Sequence, residues 1–168
     1  MAHIETERKF LVKDSSYRLA ATESIRMIQG YICREPGRTV RVRIAGDKAW
    51  LTIKGPGSDS GMSRYEWEKE IPADEAAGLM GLCPAELAPI DKTRYMVPYG
   101  GHVFEVDEFH GKNEGLIMAE VELASESEDF SRPDWLGREV TGDRRYYNSM
   151  LIASPYSSWT EEDRRQSD

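Results

Sequence analysis

The chain has 168 residues, of which 31% are charged, and a formal net charge of −8. That length suits a single domain with a proper core. The acidity argues against general nucleic-acid or membrane-surface binding, which wants a basic patch. No apolar run approaches the roughly 20 residues that span a bilayer, and no basic-then-apolar leader opens the sequence, so a cytoplasmic location is expected. Cys33 and Cys83 lack metal or redox spacing and read as reduced thiols, and His3, His102 and His110 form no ligand motif.

In chain order, residues 4–10 alternate as a first strand. Residues 14–21 read as a helix that Asp14 or Ser15 caps. Residues 27–33 are apolar and β-prone, and Glu35-Pro36-Gly37 is a turn. Residues 39–45 and 49–54 form a hairpin around Gly46-Asp47. A loop of turn formers follows at 55–61, then an alternating strand at 64–71. Residues 72–82 suit a short helix, with Pro72 near its start and Asp74 and Glu75 in its first turn. Strands are expected at 91–97, 102–109 and 116–124, joined by glycine turns. Residues 134–137 and 143–152 read as short helical pieces, and the last ten or so residues as a polar, frayed tail. The expectation is an α+β domain over 1–155 with a polar tail at 156–168. Its body is a closed, eight-stranded antiparallel β-barrel flanked by short helices.

Strand parity sharpens this picture, because alternate residues share a face. Glu5, Glu7 and Lys9 fall on one face of the first strand. Arg41 and Arg43 do so on the third, opposite Val40, Val42 and Ile44. Lys54 shares a face with Thr52. Arg64, Glu66, Glu68 and Glu70 lie opposite Tyr65 and Trp67. Lys92 with Arg94, Glu105 with Asp107, and Glu120 with Glu122 complete the set. For any one strand, a solvated outer face over an ordinary core is the plain reading. Across the set, arginine and glutamate dominate and the signs are grouped by strand. That favours a barrel with a charged lumen and apolar outer faces beneath the helices, wide enough for side chains or one small ligand. An outer-membrane barrel shares the pattern, but the outward charges Arg8, Lys69 and Glu108 and the helices argue against it. Arginine forks match phosphate oxygens, and paired carboxylates suit hard divalent cations. Together they specify a metal–polyphosphate complex.

At this point the sequence resembles the CYTH superfamily, the triphosphate tunnel metalloenzymes. The resemblance rests on Glu5-x-Glu7-x-Lys9, Arg41-Val42-Arg43, Thr52-Ile53-Lys54, Arg64-x-Glu66-x-Glu68, Lys92-x-Arg94, Glu105-Val106-Asp107 and Glu120-x-Glu122, with a closing segment at 141–148. It implies an antiparallel tunnel binding a triphosphate with Mg2+ or Mn2+. Glu5, Glu7, Glu120 and Glu122 are then metal ligands, with Glu68 as a helper. Lys9, Arg41, Arg43, Lys54, Lys92 and Arg94 are triphosphate ligands, and these residues with Glu5, Glu7 and Glu68 form the catalytic set. One metal would orient the phosphates, and a second would lower the pKa of an attacking water. The implied activity is a hydrolase acting on inorganic tripolyphosphate. The alternatives are an adenylate cyclase, a thiamine triphosphatase, a nucleoside triphosphatase, or a non-enzymatic polyphosphate- or nucleotide-binding module. Expected partners are inorganic or nucleoside triphosphate, with no nucleic acid and no membrane; a homodimer is left open. Arg64 either pairs with Glu66 or Glu68 or meets substrate. Tyr31 is expected in the core more than at the tunnel edge. Glu105 and Asp107 are expected as counter-ions of the arginines. Tyr146, Tyr147 and Asn148 are expected to pack a terminal helix rather than do chemistry.

Overall fold

The computed structural model describes residues 3–165. Among them are nine strands: β1 (Ile4–Val12), β2 (Glu23–Glu35), β3 (Arg38–Ala45), β4 (Lys48–Gly57), β5 (Ser63–Ile71), β6 (Ile90–Tyr99), β7 (His102–Phe109), β8 (Ile117–Glu122) and β9 (Leu136–Glu139). Every pairing is antiparallel. The ring runs β1-β5-β4-β3-β2-β6-β7-β8 and returns to β1. Eight strands therefore close a barrel, and the ninth lies outside it.

Closure rests on β1. One edge pairs with β8, placing Glu7 opposite Glu122 and Lys9 opposite Glu120. The other edge is shared. Its first part meets β5, with Glu5 opposite Arg64, and its last part meets β9, with Phe10 opposite Glu139. Between them, Lys9 N donates to Thr141 Oγ1 (2.9 Å) and Val140 N to the Lys9 carbonyl (2.8 Å). The backbone of β1 thus stays satisfied along its length.

Four α-helical segments among the described residues flank the barrel: α1 (Tyr17–Ala20), α2 (Ala73–Met80), α3 (Asn148–Leu151) and α4 (Glu161–Arg165). The helix expected over 14–21 is only the single turn α1, because alternating β structure resumes at Glu23. Of the piece expected as helical at 134–137, residues 134–135 form a turn and Leu136-Gly137 start β9, drawn into a strand by the free edge of β1. The end of the chain is not frayed through residue 165. Trp159 packs edge-on against Tyr146 and Tyr156, with centroids 5.1 and 5.2 Å apart, and Arg145 Nη1 donates to the Asp163 carbonyl (2.9 Å). No helix among the described residues is long and apolar enough to cross a membrane.

The apolar faces point outward, each under its own cover. Phe10, Phe104, Val106, Ala119 and Val121 are buried by Tyr17 of α1, Trp135 and Leu136. Val42 and Ala49 lie beneath Ala76 of α2. Gly30 permits this close approach, since a Cβ there would come within 2.7 Å of Cys83 Sγ and 2.8 Å of Met80 Sδ. Outward charges bind the covers down. Arg8 makes a fork with Glu139 of β9 (2.7 and 2.5 Å), and Glu108 accepts from both Tyr17 and Arg18. A third apolar cluster differs in kind. Tyr31, Ile90, Phe109 and Met118 share the lumen face of their strands and pack with Tyr146, Leu151 and Ile152. This cluster stops much of one end of the barrel. α3 is tied across that end by Arg34 Nε donating to the Ser149 carbonyl (2.7 Å).

Candidate active site

The two β1 carboxylates and every lysine and arginine expected on the lumen face reach the lumen. An inner chamber is lined by Glu5, Glu7, Lys9, Arg41, Arg43, Lys54, Arg64, Lys92, Arg94 and Glu120. It runs into a mouth of about 580 Å³ edged by Glu66, Glu68, Glu105 and Glu122. The mouth has room for a chain of phosphates. The balance of charge therefore shifts along the axis: cations outnumber carboxylates around the inner chamber, and carboxylates outnumber cations at the mouth, which Arg41, Arg43, Lys54 and Arg94 also line.

The register explains which charges meet. Arg94 lies opposite Asp107, and Lys9 opposite Glu120. Lys92 Nζ is 2.8 Å from Asp107, and Arg94 is 2.7 Å from Asp107 and 2.6 Å from Glu105. The expected counter-ion role of Glu105 and Asp107 is thus seen in the geometry. Lys9 is 3.4 Å from Glu120, and Lys54 is 3.0 Å from Glu5 and 3.2 Å from Glu66. Arg41 reaches Glu68 at 3.4 Å, and Thr52 bridges the two. Arg43 has no carboxylate partner among the described residues; its Nε donates to Gln29 Oε1 (3.0 Å). Arg64 pairs with neither Glu66 nor Glu68; its guanidinium lies 5.0 Å from the centroid of the Tyr147 ring, above it. Tyr31 is both buried and on the chamber wall, so its two readings coincide.

These surroundings displace the titrations. Burial, with Arg41 and Arg94 nearby, pushes Arg43 down to about 9. Burial also pushes Lys92 down to about 7, against the pull of Asp107. Burial would raise Asp107, but Arg94 and Lys92 outweigh it and hold that carboxyl at about 2. The carboxylates towards the mouth split. Burial, reinforced by Glu120 and Glu5, holds Glu7 well above the usual range. Burial opposes ionisation of Glu120 too, but Lys9 and Arg94 carry it well below. Burial and the acids Glu5 and Glu105 raise Glu122.

The same set bears on a metal. Among the described residues, no three carboxylate, imidazole or thiolate side chains stand at ready-made ligand spacing. Glu5 and Glu120 lean on Lys54 and Lys9 instead. Two observations nevertheless fit a hard cation. Glu7 is buried near the acids Glu120 and Glu5, which with burial oppose its ionisation. Buried Glu5 Oε2 has the Lys54 charge nearby but no hydrogen bond of good angle. Crowded all-oxygen donors that cannot ionise together are what a divalent ion relieves.

A CYTH domain model matches residues 3–149. The chain belongs to the CYTH family. An inorganic triphosphatase from Acetivibrio thermocellus is 46% identical over 158 residues, spanning 94% of this chain and 98% of that protein. Another, from Nitrosomonas europaea, is 36% identical over 156 residues, spanning 89% and 97%. A crystal structure of an inorganic triphosphatase superposes with a TM-score of 0.60 at 31% identity, covering 88% of this chain and 93% of that one. The CYTH triphosphate tunnel metalloenzymes are metal-dependent.

Several residues of this CYTH tunnel were not legible as site residues. Gln29 is fully buried in the lumen, Thr39 lines it along with Thr52, which the strand parity had already placed beside Lys54, and Thr141 and Gly142 reach it from beyond β9. Asn148, expected only to pack a helix, has its side chain in the chamber. It accepts from Lys92 Nζ (2.9 Å) and Gln29 Nε2 (3.1 Å). One signal was available: Gln29 is the polar residue on the lumen parity of an otherwise apolar strand.

Proposed function

We propose that this chain is a cytoplasmic hydrolase that cleaves inorganic tripolyphosphate to pyrophosphate and phosphate inside the tunnel. The observation that carries the reading is the axial polarity of the lumen. An enclosed group of lysines and arginines faces an opening edged by carboxylates. The two inorganic triphosphatases, similar over nearly their whole length, support it.

Lys9, Arg41, Arg43, Lys54, Lys92 and Arg94 bind the phosphate oxygens, and Arg64 meets the chain from the chamber wall beside Tyr147. Guanidinium forks fix orientation as well as charge. Arg43 and Lys92 are the cations least stable in their charged form, so an arriving anion gains most from them. Glu105, Asp107 and Glu68 hold Arg94, Lys92 and Arg41 in place before substrate arrives, which lowers the ordering cost of binding. Glu5, Glu7, Glu120 and Glu122 would hold the divalent ion, Mg2+ or Mn2+. When bound, that ion supplies charge neutralisation at the phosphates and a water of lowered pKa. The cation cage stabilises charge as it moves onto the leaving group.

The deciding experiment offers purified protein tripolyphosphate, ATP and thiamine triphosphate with Mg2+ or Mn2+. Phosphate release fastest from tripolyphosphate is expected. Cyclic AMP with pyrophosphate from ATP would replace the reading with a cyclase, and binding without turnover would reduce it to a binding module.

A further inference from the structure

A chain of neutral amides joins the closed end of the tunnel to two of its cations. Arg43 Nε donates to Gln29 Oε1 at 3.0 Å. A guanidinium only donates, so this contact settles which end of the Gln29 amide is oxygen. Gln29 Nε2 then donates to Tyr31 Oη (3.2 Å) and Asn148 Oδ1 (3.1 Å). The same Oδ1 accepts from Lys92 Nζ at 2.9 Å. Two donors, one of them a cation, fix the orientation of Asn148 as well. Its Nδ2 is left with two protons and no hydrogen-bond partner among the described residues. The side chain that carries it lines the inner chamber beside Lys9, Arg43 and Lys92.

Gln29 has no exposed surface, a costly place for an amide unless its hydrogen bonds are made. A carboxylate at either position would also hold these cations, but it would cancel charge that a phosphate needs. An amide fixes their geometry and leaves their charge intact.

We propose that Asn148 is a further substrate-binding residue, donating from Nδ2 to the phosphoryl group at the closed end, and that Gln29 is the positioning residue that aims it together with Arg43. The proposal rests on the triphosphatase reading and adds a residue from outside the barrel. α3 then both stops the tunnel and completes its anion site.

The test compares Asn148→Ala, Asn148→Asp, Gln29→Ala, Gln29→Glu and the double alanine variant. Tripolyphosphate kinetics, metal-free calorimetric binding and melting temperature are measured for each. Asn148→Ala is expected to raise KM about 10- to 100-fold, the worth of one hydrogen bond to a charged group, with kcat changing less than about threefold. Asn148→Asp should raise KM further. Gln29→Glu should also raise it while keeping the bond to Arg43, which separates charge from shape. The double variant should lose less than the product of the single losses, because the two residues act in one chain. A wild-type KM and wild-type binding in Asn148→Ala overturn the proposal, and fully multiplicative losses overturn the link to Gln29. If Asn148→Ala fails to fold, the near-isosteric Asn148→Asp decides, and undiminished binding there overturns the proposal. A wild type that neither binds nor cleaves tripolyphosphate overturns the triphosphatase reading, and this proposal with it.

Discussion

The closed end and the mouth of the lumen are built from the same residue types to opposite effect. At the closed end, Lys92 and Asp107 have side chains only 1% and 3% exposed, and Arg94 grips the same carboxylate. Lys92 and Arg94 share one carboxylate there, Arg43 rests on the neutral Gln29, and Asp107 is held ionised down to about 2. Towards the mouth, burial with the neighbouring acids Glu120 and Glu5 holds Glu7 well up, and partial burial with the acids Glu5 and Glu105 raises Glu122. One end is finished and awaits an anion. The other stays in internal conflict until a cation arrives. The lesson is that a lumen can be read by which of its charges have partners, more than by their number.

The largest expected effect separates the ends outright. Glu7→Gln should lower turnover of tripolyphosphate about a thousandfold yet leave metal-free binding close to wild type. Arg43→Ala should weaken that binding by roughly a hundredfold. Kinetics beside calorimetry without metal reads both. Equal binding losses in the two variants would erase the distinction.

Next in size is Asp107→Asn. Removing one partner from a buried ion pair leaves unpaired charge and costs about 3–5 kcal/mol, read as a lower urea midpoint. A change under about 1 kcal/mol would show that the closed end is less tightly paired than its distances imply.

A smaller effect follows pH. The raised carboxyls Glu7, Glu105 and Glu122 favour the folded state below the ordinary carboxylate range, and that contribution is lost as pH rises through their folded values. Lys92, depressed to about 7, works the other way, adding stability as pH climbs above that value. The window between about pH 5 and 7 therefore isolates the acids. Scanning calorimetry with EDTA should show the melting temperature falling across that window, and Mg2+ should restore it by more at pH 7 than at pH 5. A rise under EDTA would contradict the conflict at the mouth.

The smallest effect lies outside the lumen. Glu139→Gln breaks the Arg8 fork, whose side chains are 23% and 32% exposed. It should cost about 1 kcal/mol by urea unfolding without changing KM for tripolyphosphate.

The lumen was legible because period-two alternation labels a face, so Glu5 and Glu7, or Arg41 and Arg43, announce their side from spacing alone. The lumen floor was not. Gln29 and Asn148 are neutral, 119 residues apart, and meaningful only through the cations they touch. β9 escaped for a related reason. Leu136-Gly137-Arg138-Glu139 is too short to show alternation and becomes a strand only because β1 offers it an edge. The outer turns of β2 escaped because Glu23, Ser24 and Arg34 look like loop residues until β6 and β3 pair with them.

The divided edge of β1 has a consequence for how the molecule comes into being. Its partners on one side are Ser63, Arg64 and Tyr65 and then β9; on the other side stands β8. Synthesis runs from the N-terminus, so β1, made before the other eight strands of this sheet, is enclosed on both edges only after residue 139 has emerged. Its contacts are among the longest loops the chain must close. The seam that seals the barrel is therefore also what brings Glu5, Glu7 and Lys9 to the cations and acids they face.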